Sequence, residues 1–329
     1  MEGERVKRLT ILLFCVFAAV SAFAATAKAE TSMKIAHATW VGYGPLYIAS
    51  ENGYFEKLGL DVELIIIEDE SQYAAALASG NIDGLGNVLD REIIHYAKGT
   101  PETVILGMDE SAGGDGIVAS AEIKSLADLE GKTVALDKSS TSYFFFLTAI
   151  ESAGLDEKNI NITEMGASDA GAAFVAGRVD AAVTWEPWLT NANQREGGHV
   201  LVSSKDFPKT IVDVLVLRND FIEKNPGAPL ALTKAWNEAV AWYNEHPDEG
   251  NEIMGKAMGL DASEMADMAS GVRFIGGSDN QDFFDKSKAG NIYEVAARAA
   301  KFWEEKGIID AGTDIDALIT DQYVKEATQ

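Results

Sequence analysis

The chain has 329 residues and a formal net charge of −25. A field of that sign repels nucleic acid and anionic membranes, so neither is expected as a partner. Apolar residues make up 47% of it and no low-complexity tract interrupts them. That excludes a disordered chain and leaves material for two domains, each with its own core.

In chain order, residues 1–9 carry Arg5, Lys7 and Arg8, residues 10–25 are almost wholly apolar, and Ala27-Lys28-Ala29 supplies small side chains at a peptidase spacing. This predicts a secretory signal over 1–29, cleaved after Ala29, and hence a periplasmic protein; the apolar run is short for a bilayer span. The one cysteine, Cys15, lies inside this segment behind Phe14, too early in the chain for a lipoprotein. Without residues 1–29 the chain keeps 23 Lys and Arg against 50 Asp and Glu and has no thiol, so neither disulfides nor cysteine chemistry are expected.

Strand-like runs follow at 33–38, 62–67, 82–86 and 103–108, with helical patterns between them at 45–53, 71–79 and 89–98. Alternation of this kind predicts a mainly parallel sheet. It restarts after GIVAS (116–120), with strands at 133–137, 160–165, 179–185 and 199–204 and helices at 142–154 and 169–177, each ended by glycine. The apolar strand 210–217 leads back, and the chain from Asn219 onward reads as nearly all helical. Two α/β lobes are expected, with the segments near 115–119 and 211–217 as hinge. The boundaries predicted are 30–117 for the first lobe, 118–215 for the second, and 216–329 for the return and a helical extension of the first. Ligands of such sheets bind beyond the carboxyl ends of strands, which here face a cleft.

Three stretches carry a resemblance. PLYIASENGYFEKLGLDVELI, IKSLADLEGKTVALDKSSTSYFF and AAFVAGRVDAAVTWEPW resemble the opening of the first lobe, the opening of the second lobe and the later cleft strand of solute-binding proteins of ABC importers, in the family that groups nitrate, sulfonate, taurine and thiamine-precursor binders. The likeness covers most of residues 33–218. It implies the type II periplasmic-binding-protein fold, closure of two lobes on a small solute, and delivery to a membrane permease and its ATPase by a monomer without a cofactor.

Candidate ligand contacts sit on loops after strand ends. They are Trp40 and Tyr43 in TWVGYGP, and Asn87 and Asp90 in NVLDREI, where Asp90 serves equally as a helix-start acid. MDESAGGDGI offers Asp109, Glu110, Ser111 and Asp115 but lacks the regular calcium-loop spacing. Ser140, Thr141 and Tyr143 begin a helix after a strand, a place suited to an anionic group or to plain capping. Trp185, Glu186 and Trp188 combine indole faces with a carboxylate, the elements that hold a cation, while packing between lobes is the other reading. Asp213 stands in the middle of an apolar strand, where an acid must find a partner or a solvent gap.

The carboxylates at 90, 109, 110, 115, 186 and 213 face only Arg91 and Lys138 in these loops. An oxyanion wants Arg or Lys, so a nitrogenous solute is expected: an amine, amidine, guanidinium, pyrimidine or taurine-like zwitterion. An aliphatic sulfonate or nitrate is the alternative. Pyrimidine synthases of the same fold rely on a Cys-rich motif absent here, and no hydrolase or phosphate-loop motif occurs, so no catalysis is expected. The four histidines are scattered, and no metal ligands are expected. A sensory domain feeding a receptor is a further reading.

Overall fold

The computed structural model describes residues 31–328. The expected signal segment and Cys15 lie outside the described residues.

Two sheets organise the chain. The first contains β1 (Thr31–His37), β2 (Leu60–Ile66), β3 (Gly84–Val88), β4 (Glu102–Ser111), β10 (Val212–Arg218) and β11 (Val272–Phe274), in the spatial order β11-β4-β10-β3-β1-β2. The second contains β5 (Asp115–Ser120), β6 (Thr133–Leu136), β7 (Asn161–Glu164), β8 (Ala181–Trp185) and β9 (Gly198–Ser203), in the order β7-β6-β8-β5-β9. β1 runs parallel to β2 and β3, and β6 runs parallel to β7 and β8. Helices make those crossovers, as parallel neighbours require.

The mixed α/β prediction therefore matches the architecture, while three details differ. The helix expected over 45–53 ends at Glu51, because Gly53 takes the left-handed conformation (φ 69°) and starts a separate turn, Tyr54–Lys57. The tail is nearly all helical as expected, but it also holds one short strand: β11 pairs with the free edge of β4, Phe274 opposite Asp109 and Arg273 opposite Glu110. The predicted crossings are displaced as well. β4 continues through Ser111 to a Gly113-Gly114 turn with Gly113 at φ 133°. Asp115–Ile117, expected in the first lobe, consequently pair with β8 and β9 in the second sheet. Val212–Leu215, expected in the second lobe, pair with β4 or β3 in the first. Strand pairing, invisible to composition, decides where the chain changes sheets.

A pair of serines ties the two crossings together. Ser204, fully buried, hydrogen bonds the Ser111 hydroxyl at 2.8 Å and accepts from the Gly113 amide at 2.8 Å. The first core is anchored by Trp236 and Trp303 from the C-terminal helices Ala228–Glu245 and Ile292–Glu305. The second helix also reaches the other lobe. Phe302 packs edge-on and Trp303 tilted against Phe144 of the helix Thr141–Ser152, with ring centroids 5.0 and 5.5 Å apart, and Lys306 pairs with Glu151 beside them.

Candidate solute-binding site

A small cavity of about 30 Å³ lies where the two sheets meet. β1 and β3 deliver Ala38, Asn87 and Val88 at their carboxyl ends, and β8 delivers Trp185 at its own. β10 runs antiparallel to β3 and β5 antiparallel to β8, so their amino ends come to the same edges and contribute Asp213 and Asp115. Trp40 and Tyr43 bracket the short turn Val41–Tyr43, Thr141 starts its helix, and Glu70 and Ile211 complete the wall.

Two acids at the cavity are held by hydrogen-bond donors of the protein. Tyr43 donates its hydroxyl to Asp213 Oδ1. Trp40 Nε1 donates to Asp109 Oδ1 at 3.3 Å, directly behind the wall. Asp109 and Asp213 are cross-strand partners in β4 and β10 and together are almost wholly buried. Gly42 makes room for this arrangement: a Cβ there would stand 2.0 Å from Asp109 Oδ2 and 2.3 Å from Trp40 Nε1.

Burial pushes the acids up. Asp109 rises to about 8, helped by the charges of Asp115 and Glu110 and opposed by the Trp40 bond. Asp115 rises to about 7 and Glu70 to about 8, again chiefly through desolvation. Asp213 is raised well above the usual range by burial and then by Asp109. Among the described residues nothing hydrogen bonds Asp109 Oδ2, Asp115 Oδ2 or Glu70 Oε2. Among them, no Lys or Arg lines the cavity. An outer basin continues the acidic surface through Glu68, Asp137, Asp169 and Glu186. The lining thus presents carboxyl oxygens and two indole faces to the cavity.

A family model described as "NMT1-like family" matches residues 26–257. The chain belongs to that family. Its relatives include the taurine-binding periplasmic protein of Escherichia coli, 23% identical over 84% of this chain and 88% of that one. The formylaminopyrimidine-binding protein of Halalkalibacterium halodurans is 27% identical over 64% of each. The crystal structure of the periplasmic aliphatic sulphonate binding protein SsuA from E. coli shares the fold: TM-score 0.72, 22% identity, 90% of this chain and 99% of that one. The relatives of this NMT1-like protein are binding proteins, and a solute-binding role is what they support.

Of the residues singled out in the sequence, Trp40, Tyr43, Asn87, Asp115, Thr141, Trp185 and Asp213 line the cavity. Glu186 and Trp188 line the outer basin. Glu186 also caps its own helix, accepting from the Thr190 amide at 3.0 Å and the Thr190 hydroxyl at 3.1 Å.

Five expected contacts lie elsewhere. Asp90 is buried behind the wall, where it accepts from the Thr141 hydroxyl at 3.0 Å across the two lobes; the helix start faces the protein's own carboxylate. Glu110 turns the other way to Arg273 Nη2 at 2.8 Å, since neighbours on a strand point to opposite faces. Ser111 is spent on Ser204. Ser140 caps its helix by accepting from the Ser142 amide. Tyr143 donates to Glu157 at 2.7 Å and lies under Lys138, which takes the same glutamate. Glu70 was missed. It sits beyond β2 in the acidic run Glu68-Asp69-Glu70, so the strand-end rule applied to β2 finds it. His37 makes two contacts, Nδ1 with the Ala38 carbonyl and Nε2 with the Tyr47 hydroxyl, and burial lowers its pKa.

Proposed function

We propose that this protein is the periplasmic solute-binding component of an ABC importer. It captures a small nitrogenous cation or zwitterion by closure of its two lobes and passes it to a permease and its ATPase. The observation that carries this reading is the cavity itself: Glu70, Asp115 and Asp213 line it with Trp40, Tyr43 and Trp185, and among the described residues no Lys or Arg does. A taurine binder and a formylaminopyrimidine binder among the relatives support a ligand that carries nitrogen. In this reading the ligand's N–H groups meet the buried carboxylate oxygens, and the indole faces cover its charge. The work is binding without turnover.

Calorimetry with an alkylguanidinium, an alkylamine, an aminopyrimidine, taurine, an alkanesulfonate and nitrate tests it. The nitrogen donors bind, and the simple anions do not. Tight binding of nitrate or the alkanesulfonate with no response to the others removes the proposal. The pH response has a fixed sign. Glu70, Asp109 and Asp115 hold protons up to about 7–8, and a guanidinium favours their ionised forms. Its binding therefore expels protons, and its affinity rises from pH 6 to pH 8.5; a bound oxyanion gives the opposite slope.

A further inference from the structure

On the far side of Asn87 from the cavity, a second polar cluster sits in the first lobe. The helix Leu89–Ala97 places Glu92 and His95 one turn apart, and β4 begins with Glu102 beside them. One ligand atom from each, two carboxylate oxygens and an imidazole nitrogen, all lie within 4.8 Å of one another. Glu92 is 0% exposed and Glu102 1%. His95 Nδ1 faces Glu92 Oε1 at 3.2 Å. Among the described residues, nothing hydrogen bonds either oxygen of Glu102 or Oε2 of Glu92, and no Lys or Arg pairs with either acid.

Two buried carboxylates without a counter-charge cost several kcal/mol each. We propose that Glu92, His95 and Glu102 form a binding site for one divalent transition-metal ion of the zinc class. Two carboxylates and a neutral imidazole balance a 2+ charge. The mixed oxygen and nitrogen set suits zinc better than magnesium or calcium, which take oxygen ligands. Zinc holds such atoms at roughly 2.0–2.2 Å, so side-chain rotations of about an ångström close the set. His95, with 13% of its side chain exposed, gives the ion a way in. The Asn87 amide donates to Glu92 Oε1, which orients a metal ligand from outside its own sphere and joins this site to the wall of the cavity.

The test uses Zn²⁺ alone, added to purified protein first stripped with a chelator. Equilibrium dialysis gives one tightly held Zn²⁺ per chain, and thermal melting shifts upward on its addition. His95→Gln and Glu102→Gln each weaken binding tenfold or more and lose the shift, with circular dichroism showing both folded; if Glu102→Gln does not fold, His95→Gln alone decides. Asp213→Asn, in the cavity, leaves zinc binding unchanged. Three results overturn the proposal: no stoichiometric Zn²⁺, binding that survives in His95→Gln, or binding that disappears in Asp213→Asn, which places the ion in the cavity. A proton shared between Glu92 and Glu102 is the rival occupant, and it yields the first of these results.

Discussion

Asp109 shows how one side chain can serve a site at the expense of the fold. It is 0% exposed, takes a single hydrogen bond from Trp40, and has its pKa lifted to about 8, against about 3.9 for an unfolded aspartate. A group raised in this direction binds its proton more tightly when folded. Its stabilising contribution is complete below about pH 4 and is lost as the pH climbs through about 8. Asp109→Asn keeps an acceptor for the indole and removes the ionisation. In melting experiments without ligand, we expect it to raise Tm by about 2 °C or more at pH 8, and by less at pH 5. A variant that melts lower at pH 8, or gains equally at both values, contradicts the placement of that carboxyl.

At the scale of elements, the cavity depends on how closely backbone turns approach the aromatic walls. Gly114, in the turn between β4 and β5, is such a place. A Cβ there would stand 2.6 Å from Trp40 Cη2 and 3.3 Å from the Gly271 carbonyl. Gly114→Ala therefore drives Trp40 inward and should weaken solute binding tenfold or more, about 1.4 kcal/mol, while the protein stays folded. Gly227→Ala, whose Cβ would meet nothing within 4 Å, should leave binding unaltered. Equal effects from the two would dismiss the steric account.

The same elements show what a sequence can and cannot disclose. Short apolar runs and glycine stops placed the strands to within a few residues, because those patterns are local. The rule that ligands gather beyond strand ends reached Trp40, Asn87, Asp115 and Trp185 for the same reason. It went wrong where a partner from far along the chain decides a side chain's fate. Glu110 belongs to Arg273, 163 residues away, and Ser111 to Ser204, 93 residues away. Tyr143 shares a helix start with Thr141, yet helical rotation aims it at Glu157. His95 and Glu102 looked unrelated because a helix end and a turn separate them in sequence.

For the whole molecule, the question is what holds the halves together around the cavity. Besides the two crossings, Phe302 and Trp303 of the C-terminal helix grip Phe144, and Lys306 grips Glu151. This aromatic contact adds about 0.5–1.5 kcal/mol per ring pair beyond simple burial. We expect Phe302→Ala to enlarge the radius of gyration of the ligand-free protein in small-angle scattering and to lower solute affinity severalfold. An unchanged radius would mean that the serine-pinned crossings alone set the spacing.

The outer basin adds a kinetic property. Glu68, Glu70, Asp137, Asp169 and Glu186 ring the approach to the cavity, so a cationic solute of the kind proposed would meet an attractive field before it touches any wall. That field is cut off within about 8–10 Å in physiological salt. Capture of such a solute should consequently slow as sodium chloride is raised, whereas escape from the interior keeps its pace, so stopped-flow traces in dilute media would show faster arrival and an unchanged residence time.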